Sequence, residues 1–122
     1  MKSTINDIYE FQTKILKNNF PDKPTKAEGE FKDRTLVCLN EELEEFGDAD
    51  TIAEQADALI DLIYFAYGAL HQMGVDAERV WNEVHRANMT KVRGETKRGH
   101  DNDATKPEDW RAPDHSWLDE AA

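Results

Sequence analysis

Acidic residues dominate one stretch of the chain, Glu41–Asp61, which holds nine carboxylates and no Lys or Arg. Six of these acids form two sets at helical spacing: Glu41, Glu42 and Glu45, then Glu54, Asp57 and Asp61. In two helices, such spacing places each set on one face. Acidic faces that meet repel each other unless a cation lies between them, and Mg²⁺ prefers oxygen ligands of this kind. The stretch therefore predicts a Mg²⁺ site built from two helices.

The apolar residues that follow favour this interpretation over the alternative, a solvated acidic face. Residues 58–70, ALIDLIYFAYGAL, are apolar nearly all round, which is typical of a buried helix. Asp61 lies inside this run, and Asp57 directly precedes it. A buried carboxylate is unfavourable unless it is paired, protonated or bound to a metal.

A second group of polar residues lies in the sequence EVHRANMTKVRG, residues 83–94. His85, Asn88 and Lys91 recur at spacings of three, and Arg93 follows. These side chains could contact the phosphate, sugar or base of a nucleotide. The alternative is that Lys91 and Arg93 only complement the negative end of a helix dipole.

Four helices are predicted to position these groups. Apolar periodicity and turn residues place them at about 3–18, 25–46, 51–72 and 77–91. Gly47 suits the end of the second helix, Asp50 or Thr51 the start of the third, and Gly74 its end. No stretch shows strand-like alternation, so we expect an all-α fold resembling an antiparallel four-helix bundle.

Composition limits the possible partners. The chain has 122 residues, which suits one domain, and 39% of them are hydrophobic and 34% charged. This lean core, with an apolar helix at 58–70 that a small monomer would not cover, predicts a homo-oligomer, and the choice between homodimer and homotetramer stays open. The net charge of −11 argues against binding nucleic acid or anionic membranes. With no apolar run of about 18 residues and no hydrophobic leader, we expect a soluble, cytoplasmic protein. The single cysteine, Cys38, excludes an intrachain disulfide.

The chain changes character near its C-terminus. We expect residues 1–92 to form the helical domain and residues 93–122 an irregular polar tail. This tail contains Trp110 and Trp117. Because Trp is unfavourable in water, we expect the tail to dock on the body or on a neighbouring protomer.

The acidic motifs identify a family resemblance. EExxE followed by ExxD (Glu54, Asp57) on consecutive helices of a small all-α chain resembles the MazG-like nucleotide pyrophosphohydrolases. These belong to the all-α NTP pyrophosphatase superfamily, with phosphoribosyl-ATP pyrophosphohydrolase and the dimeric dUTPases as relatives. The stretches ADALIDLIYFAYGALHQMGVD and WNEVHRANMTKVRG are similar to the phosphoribosyl-ATP pyrophosphohydrolase-like branch. The resemblance covers roughly residues 33–93.

This resemblance implies a Mg²⁺-dependent hydrolase, with Mn²⁺ as a possible substitute, that cleaves a (d)NTP into a nucleoside monophosphate and pyrophosphate. It implies metal ligation by Glu42, Glu45, Glu54 and Asp57. A metal-activated water would attack phosphorus, with Glu41 or Glu45 as the base. Asn88 and Lys91 match positions that contact nucleotide in this branch, and His85 and Arg93 are further candidates.

Two departures from the family pattern leave the metal ligands open. Only eight residues separate Glu45 from Glu54, and Asp61 is an additional acid. Asp57 and Asp61 could therefore occupy the metal positions in place of Glu54 and Asp57.

Two other functions compete with this one. A non-catalytic acidic helical module could bind a basic partner. A di-iron carboxylate bundle would need an ExxH motif on each of two helices, and the sequence has none.

Overall fold

The structure, a computed structural model, describes residues 3–94 and 103–122. In chain order its elements are α1 (Thr4–Lys14), α2 (Gly29–Asp48), α3 (Ile52–Gln72), α4 (Ala77–Met89), β1 (Val92–Gly94), β2 (Asp103–Thr105) and α5 (Ser116–Ala121). The predicted all-α class is confirmed. Within the described ranges, no helix is long and apolar enough to cross a membrane. Part of the predicted tail, residues 95–102, lies outside the described residues.

The chain divides into two compact units. The first runs through Ala77 and includes Ala121 and Ala122, and the second is Glu78–Glu120. In the first unit, α3 packs against both α1 and α2. Small side chains on α3 permit this close packing, because Ala58 is 2% exposed and Gly68 is also buried.

The α2–α3 connection holds the acidic stretch together. Only three residues separate the two helices, a length that joins antiparallel neighbours. Thr51, one of the two residues predicted for this position, is the N-cap of α3, and its hydroxyl accepts a hydrogen bond from the Glu54 backbone N–H at 3.1 Å. The expected helix end at Gly47 is wrong. Helix α2 continues through Gly47 to Asp48, and the extended backbone of the C-cap residue Ala49 ends it.

The end of α3 anchors the segment that follows α1. Gly74 has a φ of +71°, and a Cβ there would lie 2.9 Å from the carbonyl oxygen of Lys23. The Thr25 N–H donates to the Met73 carbonyl at 2.7 Å. Glycine is therefore required at position 74 both by its conformation and by the close approach of this segment.

The second unit contains a feature that the sequence did not predict. Strands β1 and β2 pair antiparallel, with Val92 opposite Thr105 and Arg93 opposite Ala104. The pairing is only three residues long, so it does not change the fold class.

Both tryptophans of the C-terminal segment contact α4 within this second unit. The indole Nε1 of Trp110 donates to the Ala87 carbonyl at 2.8 Å, and the guanidinium of Arg79 lies 3.8 Å from the ring centroid of Trp117. The Glu83–Arg86 ion pair at 2.9 Å holds the same segment, because Arg86 also donates to the Ala112 carbonyl.

Candidate metal centre

Three carboxylates from two helices converge in the first unit. One oxygen each of Glu42, Glu45 and Asp61 lies within 4.8 Å of the others. Glu42 and Glu45 are three residues apart on α2, and Asp61 lies on the same face of α3 as the buried Ala58. We call these three residues the carboxylate cluster.

Glu42 is the buried member of the cluster. Glu42 is 7% exposed, and its Oε2 has no hydrogen-bond partner among the described residues. Burial raises the pKa of Glu42, and the neighbouring Glu45, to which a protonated Glu42 can donate, raises it further together with the charges of Glu45, Asp61 and Asp57. A buried carboxylate oxygen without a partner requires a proton or a cation.

Asp61 experiences the same environment from the opposite helix. Burial raises its pKa, and the negative charges of Asp57 and Glu45 add to this effect. The cluster therefore gathers negative charge that a cation would neutralise. Its all-oxygen composition fits a hard divalent ion such as Mg²⁺.

An acidic groove of about 450 Å³ lies beside the cluster. Six carboxylates and Ala49 line this groove: Glu41, Glu44, Glu45, Asp48, Glu54 and Asp57. Glu45 belongs to both the groove and the cluster. The predicted base Glu41 lines the groove outside the cluster, and so does Asp57.

Glu54 has a local structural partner. Its carboxylate accepts a hydrogen bond from the Thr51 hydroxyl at 2.8 Å, while its backbone N–H donates to the same hydroxyl. These two hydrogen bonds form a side-chain N-cap at the start of α3. Of the three α3 acids among which the sequence left a choice, the structure brings Asp61 into the cluster. Metal ligation by each residue stays a prediction.

A larger cavity of about 640 Å³ lies among α1, α2 and α3, with Asp61 also in its wall. Sequence reasoning missed this cavity and the buried amide of Gln12 that lines it. One signal was present in the sequence. Gln12 follows the buried Ile8 by four residues, so a polar side chain interrupts the apolar stripe of α1.

The predicted nucleotide contacts all belong to the second unit. His85 and Asn88 are exposed on α4, and Arg93 lies in β1. Lys91 is half-buried, with Nζ 5.4 Å from the ring centroid of Trp110. A role of these four residues in substrate binding stays a prediction.

The sequence matches the family model of phosphoribosyl-ATP pyrophosphohydrolase over residues 8–88, about two thirds of the chain. The chain belongs to this family, which is part of the MazG-like all-α NTP pyrophosphatase superfamily. Membership implies a hydrolase that acts on the phosphoric anhydride of a nucleotide. The matched range contains the whole carboxylate cluster. No curated protein matches the chain.

Proposed function

We propose that this protein is a Mg²⁺-dependent nucleoside triphosphate pyrophosphohydrolase. It cleaves a (d)NTP between the α and β phosphates and releases a nucleoside monophosphate and pyrophosphate. The observation that carries this proposal is the buried, unpartnered Oε2 of Glu42 beside the carboxylates of Glu45 and Asp61. Family membership supplies the class of reaction, and the cluster supplies the place for the cation.

Glu42, Glu45 and Asp61 are the proposed metal ligands, with Asp57 adding negative charge nearby. When bound, Mg²⁺ neutralises phosphate charge and lowers the pKa of a coordinated water, and Mn²⁺ can replace it. Glu54 is assigned to the cap of α3 and is the least suited of the predicted ligands, because its carboxylate already accepts a hydrogen bond.

Glu41 is the proposed general base, because it lines the acidic groove without belonging to the cluster. It accepts a proton as the oxygen of a water molecule forms a bond to phosphorus. The anhydride bond breaks, and the electron pair leaves with the departing phosphate oxygen. Glu45 is the alternative base, although ligation of the cation would leave it less basic.

We also propose that the protein forms a homodimer or homotetramer. Large apolar side chains are exposed on α2 and α3, including Val37 and Leu43, each 54% exposed, and Ile60, which is 59% exposed. Exposed apolar side chains in this number support a protein–protein interface. Light scattering after size exclusion measures the mass directly, and a monomer at micromolar concentration would contradict this proposal.

The products test the proposed reaction. Incubation of an NTP with the protein and Mg²⁺ in ¹⁸O-labelled water should give the monophosphate and pyrophosphate, identified by anion exchange and mass spectrometry. The ¹⁸O label identifies which of the two products received the oxygen of water. Formation of a diphosphate and orthophosphate instead would contradict cleavage between the α and β phosphates.

A further inference from the structure

The 640 Å³ cavity in the first unit has the size of a small-molecule site. It extends along α3 from Asp61 to Gln72, a distance of about 16 Å at the rise of an α-helix. Asp61 also belongs to the carboxylate cluster. The cavity therefore begins beside the proposed cation site and continues away from it between the helices.

Aromatic side chains form much of the cavity wall. Phe11 and Tyr64 meet edge to face, with ring centroids 5.5 Å apart, and Phe31 and Phe65 also line the cavity. Flat aromatic surfaces of this kind accept a planar ring by stacking or by edge contact.

A fixed amide lies in the same wall. Gln12 is 5% exposed, and its Oε1 accepts hydrogen bonds from Asn18 Nδ2 at 2.6 Å and Gln72 Nε2 at 3.2 Å. The backbone also joins these residues, because the Asn18 N–H donates to the Gln12 carbonyl at 3.0 Å. Two donors satisfy both lone pairs of Oε1, so Gln12 presents Nε2 as its hydrogen-bond donor.

Gly68 makes room for this amide. A Cβ at position 68 would collide with Nε2 of Gln12, whereas the buried glycine lets the amide rest against α3. Gly68 lies seven residues after Asp61, two helical turns along the same face. The position of the Gln12 donor thus depends on the lack of a Cβ at position 68.

We propose that this cavity binds the nucleoside part of the substrate. The base lies against the Phe11–Tyr64 wall, and a carbonyl oxygen or ring nitrogen on its edge accepts a hydrogen bond from Gln12 Nε2. The phosphates then extend past Asp61 to the carboxylate cluster. The identity of the ligand rests on the proposed function, whereas the cavity and the position of its hydrogen-bond donor do not depend on it.

Binding of uncharged nucleosides to the full chain in EDTA tests the cavity without requiring metal or turnover. Adenosine, guanosine, cytidine, uridine and thymidine are the probes, and saturation-transfer NMR detects their binding. At least one nucleoside should bind with its base protons most saturated. Gln12→Glu, which keeps the shape but replaces the donor, should weaken binding roughly tenfold, the loss of about one hydrogen bond. Asn6→Asp introduces the same charge at an exposed position of α1 and should leave binding unchanged.

A pair of glycine variants provides the kinetic test. Gly68→Ala displaces the Gln12 amide and should raise KM for the preferred triphosphate with little change in kcat. Gly47→Ala adds the same methyl group to α2 where nothing lies within 4 Å, and should change neither constant. Circular dichroism confirms that each variant is folded.

The outcomes separate this inference from the proposed function. Nucleoside binding that depends on Gln12 supports the cavity even if no triphosphate is hydrolysed. If triphosphates are hydrolysed but Gln12→Glu and Gly68→Ala behave like their controls, the base binds elsewhere and the inference is wrong. Absence of binding by all five nucleosides also overturns it.

Discussion

Glu42 places a carboxylate oxygen where water does not solvate it and where no described residue donates to it. Two further carboxylates, Glu45 and Asp61, lie close enough to raise its pKa by repulsion in addition to burial. Such an arrangement opposes folding unless something neutralises it. A cation that binds the native state gains this relief and stabilises the protein by mass action.

Replacing Glu42 should therefore separate stability from activity. Glu42→Gln removes the buried charge while its amide can donate to Glu45, so the melting temperature in EDTA should rise. The Mg²⁺-induced thermal shift should disappear. Turnover should fall at least ~100-fold, because losing even an outer-shell partner of a metal typically costs up to about 100-fold and Glu42 is proposed as a direct ligand. Scanning calorimetry and pyrophosphate release measure both effects. Glu30→Gln, at an exposed position of the same helix, is the matched control. A melting temperature below wild type in EDTA would contradict this account.

The structure separates the roles of two α3 acids that the sequence could not distinguish. Asp61→Asn alters a member of the carboxylate cluster and should abolish Mg²⁺-dependent turnover. Glu54→Gln keeps an oxygen that can accept the hydrogen bond from the Thr51 hydroxyl, so activity should stay within a few-fold of wild type. Assays of Mg²⁺ dependence for both variants measure the difference. Loss of turnover in Glu54→Gln, with Asp61→Asn still active, would assign the metal to Glu54 and Asp57 instead.

Residue types and spacing identified the acidic candidates, since periodicity places Glu42 and Glu45 on one face of a helix. Spacing alone does not show which of these side chains is buried. Burial of Glu42 rather than the adjacent Glu41 depends on how α3 packs against α2, and Gln12 was missed because its partners, Asn18 and Gln72, come from separate parts of the chain.

At the scale of elements, the α2–α3 hairpin determines which acids meet. The cap at Thr51 sets the start of α3 and therefore the register of Asp57 and Asp61 against α2. Both the Thr51 hydroxyl and the Glu54 carboxylate take part in this cap.

Thr51→Ala should lower the free energy of unfolding by about 1 kcal/mol, the usual effect of losing an N-cap. Thr51→Ser keeps the hydroxyl and should restore most of this loss. Urea denaturation measures the change in the transition midpoint. A Thr51→Ala variant as stable as wild type would show that the cap does not hold the start of α3.

Helix boundaries were predictable where turn chemistry is strong, as at Thr51 and at Gly74 with its positive φ. The predicted helix end at Gly47 was wrong because a glycine without a positive φ can remain within a helix. The β1–β2 pair escaped prediction because three-residue strands carry too few side chains to show alternation.

At the scale of the whole molecule, the net charge of −11 and the carboxylate cluster couple stability to pH and to cations. The pKa values of Glu42 and Asp61 are raised, so at these two groups the native state holds more protons than the unfolded chain does. Stability from these two groups is greatest below their unfolded values and falls as pH rises through their folded pKa values. Glu83 and Asp114 have lowered pKa values and act in the opposite direction at acidic pH.

Comparison with a variant isolates the contribution of the cluster. As the pH rises above 4.5, the ordinary pKa of a Glu side chain, wild type in EDTA should lose more stability than Glu42→Gln. His71, whose pKa burial lowers, opposes this trend near neutral pH but affects both proteins equally. Saturating Mg²⁺ should reduce the difference between the two proteins. Parallel pH profiles in EDTA would show that Glu42 is charged without penalty.

The most direct measurement is pyrophosphate release from the eight common NTPs and dNTPs, first with Mg²⁺ and then with EDTA. We expect release from at least one nucleotide with Mg²⁺ and none with EDTA. Release that persists in EDTA would contradict the proposed metal dependence. If no nucleotide is cleaved and Mg²⁺ does not stabilise the protein, the carboxylate cluster is only an acidic surface, and the proposed function is wrong.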